Sequence, residues 1–153
     1  MKIRKAKMED IPYIVKMLAD DPIGKKREDF QEPLPVSYIN AFKNINSDPN
    51  QALMVVENDG KIIGTFQLSF IQYLTYQGGI RAQIEAVRIH KDFRGKGLGT
   101  QMFEWAIKQA KDRNAHVLQL TSDKKRPKAI HFYQSLGFTN SHEGMKLHLK
   151  STR

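Results

Sequence analysis

The sequence predicts a mixed α/β domain built on one sheet, and three observations predict it. Three β-rich runs, 52–58, 61–71 and 80–89, follow one another, and the first two meet at Asp59-Gly60, a strong hairpin signal. Two apolar stripes at helical spacing come later: Leu98, Met102, Trp105, Ala106 and Ala110, then Ala129, Ile130, Phe132, Tyr133 and Leu136. Between them lies a short strand-like run, "HVLQL" at 116–120. Strands alternating with helices in this way call for a sheet with parallel as well as antiparallel neighbours.

The elements follow in order. "KIRKA" at 2–6 reads as a first strand. Ile11, Ile14, Val15 and Leu18 have helical spacing, with Pro12 tolerated in the first turn. Residues 21–35 are polar, hold three prolines and a glycine, and read as a loop long enough to be functional. A second helix is expected through Tyr38, Ile39, Phe42 and Ile45, with Ser37 as its cap. The two hairpin strands come next, and "YQGG" at 76–79 turns the chain into the run 80–89. After the helix of 98–110 and the strand of 116–120, the last helix is stopped by Gly137. "EGMKLHL" at 143–149 alternates and predicts a closing strand. The order is β-α-α-β-β-β-α-β-α-β, with no repeat or dividing linker, so residues 1–153 read as one domain.

Composition narrows the functions. The 153 residues include no cysteine, which excludes disulfides, thiolate zinc sites and cysteine nucleophiles. No apolar run approaches a membrane span, and the N-terminal stretch is charged throughout, so a soluble cytoplasmic protein is the default expectation. The net charge is +9, but basic residues are spread along the chain among Asp and Glu rather than gathered in a tail. That distribution reads as a solvated basic surface rather than a nucleic-acid footprint. "HEGMKLH" (142–148) does not keep the H-E-x-x-H spacing, and the other histidines are scattered, so no metal is expected.

Two features carry chemistry. In the run 80–89, Ile80, Ala82 and Ile84 are apolar at even positions, whereas Val87 and Ile89 are apolar at odd ones. A regular strand keeps one parity, so a β-bulge is expected at Glu85-Ala86. Such a bulge splays the strand and frees backbone groups for an extended ligand. Just downstream, "RGKGLG" places Gly95, Gly97 and Gly99 between that strand and a helix, beside Arg94 and Lys96. Converging N–H groups, a helix dipole and two cations make an anion site suited to a phosphate or pyrophosphate. Neither the Walker A nor the dinucleotide spacing of glycines is kept.

With these residues in view, the chain resembles the GNAT superfamily of N-acetyltransferases. Arg94 to Gly99 match its R-x-x-G-x-G signature, and "AIHFYQSLGF" at 129–138 resembles its second signature. "IEAVRIHKDFRGKGLG" is similar to the matching segment of glucosamine-6-phosphate acetyltransferases. "LTSDKKRPKAIHFYQSLGF" is more like uncharacterised bacterial members and aminoalkylphosphonate acetyltransferases. Two positions depart from the pattern. Arg126 stands where many members have asparagine, and Lys91 where a proline is common.

The resemblance implies a mostly antiparallel central sheet with a bulged fourth strand and helices on both faces. It implies acetyl-CoA as acyl donor and direct attack by a primary amine of a small molecule or peptide in a ternary complex. Val87, Arg88 and Ile89 would offer backbone groups to the pantetheine arm, and the Val87 N–H would polarise the thioester. The N–H groups of Arg94, Gly95, Lys96, Gly97, Leu98, Gly99 and Thr100 would hold the pyrophosphate. Lys124, Arg126 or Lys128 would reach the 3′-phosphate, although "DKKRPK" reads equally well as a solvated turn.

Glu85 is the candidate general base through a water, against a plain surface carboxylate. Tyr133 is the candidate general acid, against an ordinary member of an apolar helix stripe. Acceptor recognition would fall to 21–35 and to the turn 73–79, with His142 and Glu143 nearby. Self-association through the last strand, giving a homodimer, is also implied. A coenzyme A-binding sensor with little catalysis, and a nucleic-acid-binding module, are the rival readings.

Overall fold

The computed structural model describes residues 1–150. Its strands are β1 (Lys2–Lys5), β2 (Gln51–Asn58), β3 (Lys61–Gln72), β4 (Ile80–Ile89) and β5 (Ala115–Gln119). The helices are α1 (Ile11–Ala19), α2 (Gly24–Arg27), α3 (Val36–Ser47), α4 (Thr75–Gly78), α5 (Leu98–Asp112) and α6 (Pro127–Ser135). The strands lie side by side in chain order, β1-β2-β3-β4-β5. The first three junctions are antiparallel and only β4–β5 is parallel. A parallel pair needs a crossover, and α5 supplies it. The mixed, mostly antiparallel sheet is the one expected.

Alternation along the strands sends apolar side chains to two cores. Met54, Val56, Phe66, Leu68 and Ile84 pack with Leu98, Met102, Phe103 and Ala106 of α5, and α6 adds Phe132 and Tyr133. On the other face Val55 packs with Ile11, Ile14 and Val15 of α1 and Phe42 of α3. Helices therefore cover both faces, as the resemblance implied. The hairpin turn carries φ of 50° at Asp59 and 75° at Gly60, the primed geometry that Asp-Gly favours.

Three local expectations are corrected. The loop 21–35 contains a helical turn, α2, whose start is fixed when Asp21 Oδ1 accepts from the N–H groups of Ile23 (2.8 Å) and Gly24 (2.9 Å). Ser37 is not the cap of α3: the cap position is Pro35, and Ser37 lies inside the first turn. The closing strand is absent, since 143–149 forms no regular structure and leaves Met145, Leu147 and Leu149 exposed at 93%, 85% and 88%. Alternation permits a strand, but a strand exists only with a ladder partner, and none of the described strands pairs with this segment.

Candidate active site

The centre of β4 is bulged where the parity switch placed it. Thr65 pairs with Arg88 and Gln67 with Glu85, so Phe66 faces two residues, Ala86 and Val87. Ala86 has a φ of 54°, a left-handed conformation that costs a residue with a Cβ about 1–2 kcal/mol. The extra residue restores Val87 and Ile89 to the α5 core, where both pack. It leaves Glu85 exposed.

The same strand is also open on its other side. Pairing with β5 runs from Ile80↔Ala115 to Gln83↔Gln119 and stops there, while β4 continues to Ile89. Among the described residues, nothing pairs in a sheet with the β5-facing edge of β4 beyond Gln83. Arginines serve two carbonyls near its end: Arg88 Nη1 donates to Val87 O (2.8 Å) and Arg94 Nε to Ile89 O (3.0 Å). A pantetheine arm, with its two amides, has the chemistry to lie along such an edge as an added strand.

The open edge leads into the glycine turn. Gly95 and Gly97 have φ of 74° and 79°, and a Cβ on either would meet nothing within 4 Å, so these glycines serve backbone conformation. Gly99 is different. A Cβ there would come within 3.1 Å of Phe132 Cζ and 3.4 Å of Ile89 Cδ1, so it lets α5 sit close to α6 and β4. Helix α5 begins at Leu98, capped by Gly97, and its first turn directs its N–H groups and dipole toward the turn. These groups fit a pyrophosphate, which would lie against the N–H groups of Arg94 to Thr100. Lys96 lies 5.4 Å from the Phe93 ring centroid, with its ammonium over the ring face.

Tyr133, on α6, packs against the rings of Phe103 (5.4 Å), Phe132 (5.6 Å) and Phe138 (6.2 Å). Burial pushes its phenol above the ordinary value, and the charges of Arg88 and Arg126 oppose that only in part. A proton kept on the phenol at neutral pH is what a general acid requires. Glu85 accepts a short hydrogen bond from Gln83 Nε2, and Gln83 in turn accepts from Gln119 Nε2 at 2.9 Å.

Within the loop 21–35, the sequence did not single out one residue that the fold ties to β4 and α6. Asp21, in the turn before α2, pairs through Oδ2 with Arg88 Nε (3.1 Å) and through Oδ1 with Arg126 Nη2 (2.9 Å). Burial disfavours its charge, but the Gly24 and Ile23 N–H groups and the two arginines outweigh burial and hold the carboxyl below its ordinary value. Burial draws the Arg88 guanidinium down and Asp21 opposes it. Arg126 is thus joined to Arg88 at the bulge. The Asx turn of Asp21-Pro22-Ile23-Gly24 was readable, but its arginine partners were not.

A cavity of about 110 Å³ opens beside the bulge on the α1/α3 face, with Ile14, Leu18, Phe42, Leu53, Thr65 and Ala86 in its wall. His142 and Glu143 are exposed in the irregular C-terminal segment. The turn 73–79 sits at the start of β4, with Tyr76 stacked on His116 (4.5 Å) at the N-terminal end of β5. It lies some six residues, or about 20 Å of strand, from the bulge.

Comparison with known proteins joins this geometry to a family. The model of the Acetyltransferase (GNAT) family matches residues 16–138. The spermidine N(1)-acetyltransferase of Escherichia coli K12 is 32% identical over 97% of this chain and 76% of its own. Among solved structures, a Bacillus halodurans C-125 protein described as a transcriptional regulator is 52% identical, with a TM-score of 0.94 over 97% of this chain and 99% of that one. A predicted acetyltransferase of Clostridium acetobutylicum, solved with acetyl-CoA, is 27% identical with a TM-score of 0.74, covering 97% and 96% of the two chains. The chain, with its bulged and open fourth strand running into a glycine turn, belongs to the GNAT family of acetyltransferases.

Proposed function

We propose that the chain acetylates a primary amine of a small molecule by direct attack in a ternary complex, with Glu85 as base and Tyr133 as acid. The observation that carries the reading is the continuity of the free β4 edge, the bulge and the glycine turn. Acetyl-CoA supplies an activated acyl group as a thioester, and the residues do the rest.

The N–H groups of Arg94, Gly95, Lys96, Gly97, Leu98, Gly99 and Thr100 fix the pyrophosphate, and the backbone of Val87, Arg88 and Ile89 aligns the arm. The Val87 N–H, beside the bulge, donates to the carbonyl oxygen as negative charge grows there. Glu85 takes one proton from the ammonium through a water, which gives nitrogen the lone pair that forms the new C–N bond. As the C–S bond breaks, the Tyr133 phenol protonates the departing sulfur, and the second proton, shed by the nitrogen once the C–N bond has formed, restores the phenol through water. Of the basic residues about the start of α6, Lys124 and Lys128 serve the 3′-phosphate in this scheme, because Arg126 is paired with Asp21. No metal takes part in this scheme.

The test is calorimetry with CoA followed by thiol release in the presence of amines. Binding with an amine-stimulated rate supports the reading. Binding with only slow, amine-independent thiol release would make the chain a coenzyme A sensor instead.

Three further parts belong to the same reading. Residues 1–153 act as one domain, of which 151–153 lie outside the described residues. None of the described helices is long and apolar enough to cross a membrane, and the cytoplasm is the proposed location. The exposed alternation of Met145, Leu147 and Leu149, together with a β5 edge free of sheet partners, supports a homodimer in which this segment pairs with a second copy. Light scattering of the full chain beside a variant ending at residue 140 tests it; a monomeric full chain refutes it.

The Bacillus halodurans neighbour's description favours a second reading, a role on DNA. Such binding would weaken by about a thousandfold or more between roughly 50 and 200 mM salt. A salt titration against duplex DNA decides it.

A further inference from the structure

We infer that the acceptor is a free α-amino acid with an apolar side chain: its carboxylate meets the Arg88–Arg126 pair and its side chain enters the cavity between α1 and α3. This rests on the acetyl-transfer reading and names the substrate of that same site.

The charge argument comes first. One carboxylate, Asp21, stands between two arginines, and both of its oxygens are already engaged by Ile23 and Gly24 N–H, Arg88 Nε and Arg126 Nη2. The cluster keeps one net positive charge. Arg27, whose charge also reaches Arg88, is committed to Glu28 at 2.7 Å. Arg88 is mostly buried, with 14% of its side chain exposed, and water therefore screens its charge poorly. An arginine does not solve that by losing its proton. A planar carboxylate suits guanidinium donors, whereas a polycation would meet uncompensated repulsion.

The cavity argument is independent. Three polar side chains line the cavity, and each is committed elsewhere. Thr65 Oγ1 donates to Met54 O (2.9 Å), and Gln67 Nε2 donates to Gln51 Oε1 (2.8 Å). The Tyr38 hydroxyl accepts from Asp29 N–H (2.8 Å) and donates to Glu28 (3.1 Å). What remains to meet an occupant is mainly hydrocarbon from α1, α3, β2 and Ala86 of β4. At about 110 Å³ the space is somewhat below the roughly 150 Å³ apolar cavity that holds a benzene ring, which suits a branched side chain of about four carbons.

The two features are neighbours in the chain. Ala86 lines the cavity, and Arg88, two residues further along β4, carries the charge. The amine between them then faces the bulge, where Glu85 lies.

The test uses the full chain with acetyl-CoA and reads thiol release with leucine, leucinamide, glycine and spermidine. The expected kcat/KM for leucine exceeds each of the other three by at least tenfold. R88Q should erase the leucine–leucinamide difference, and L18W, which fills the cavity, should erase the leucine–glycine difference; melting temperatures report whether each variant is folded. The wild-type panel decides alone if either is not.

Leucinamide or spermidine equal to leucine would overturn the inference while leaving acetyl transfer intact. Faster turnover with butyryl-CoA than with acetyl-CoA would also overturn it, by assigning the cavity to the acyl chain. Failure to bind CoA, or binding without amine-stimulated release, would instead remove the acetyl-transfer reading beneath it.

Discussion

Replacing Gly97 and Gly99 singly by alanine separates two uses of glycine that the signature does not distinguish. At Gly97 the backbone has a φ of 79° and the space around a new Cβ is open. The cost is therefore conformational, about 1–2 kcal/mol for an L-residue held in the left-handed region. At Gly99 the residue is helical, so alanine gains about 1 kcal/mol of helix propensity. Against that gain, Phe132 Cζ at 3.1 Å must retreat by a few tenths of an ångström, and it is the far tip of a ring on α6. The two effects at Gly99 nearly cancel.

Equilibrium urea unfolding should place Gly97→Ala about 1–2 kcal/mol below the wild type and Gly99→Ala within about 1 kcal/mol of it. Calorimetry with CoA should show weaker binding for Gly97→Ala, because the turn that aims the N–H groups is disturbed. A Gly99→Ala protein clearly less stable than Gly97→Ala would refute the assignment of Gly97 to conformation and Gly99 to packing.

Three other outcomes are expected. Tyr133→Phe keeps the ring cluster with Phe103 and removes only the proton donor, so turnover should fall by about a hundredfold or more with CoA affinity within twofold; unchanged turnover removes Tyr133 from the chemistry. Glu85→Gln, at an exposed position, should change stability by less than about 0.5 kcal/mol. Its activity should be low at neutral pH and climb toward pH ~10 as the amine deprotonates unaided, and a flat profile parallel to the wild type would count against the base. Asp21 has a carboxyl pKa lowered by folding, so its contribution is present above the unfolded value near ~3.9 and is lost as pH falls through the folded value. Asp21→Asn should therefore be less stable than the wild type at pH 6, by about 1–3 kcal/mol, and the gap should narrow by pH 2; a constant gap would refute the ion-pair account.

Some of this site could be read from the chain because its signal is local. The move of apolar residues from Ile84 to Val87 is the bulge itself, since an inserted residue shifts every later side chain to the opposite parity. The glycines at 95 and 97 mark positive φ directly. What could not be read is non-local. Arg88 and Arg126 meet Asp21 across 67 and 105 residues, and neither spacing leaves any periodicity behind. The segment 143–149 shows the converse failure: its alternation is local and clear, yet the ladder that would make it a strand depends on a partner elsewhere.

This division follows from what each half of the site is made of. The donor half is backbone: N–H groups, a free strand edge and a helix end, which many sequences can build provided a few conformations are allowed. Its mutational record is therefore expected at glycines and at the bulge. The acceptor half is side chain, supplied by α1, the turn before α2, α3, β4 and the start of α6 around one cavity and one carboxylate. Exchange of Leu18 or Phe42 alters its shape without touching the groups that bind the donor, whereas Arg88 also donates to the Val87 carbonyl on the donor side. A changed acceptor preference with unchanged CoA affinity is thus the expected signature of substitutions there. A loss of CoA affinity on replacing Leu18 or Phe42 in a folded protein would show instead that the two halves are not separable.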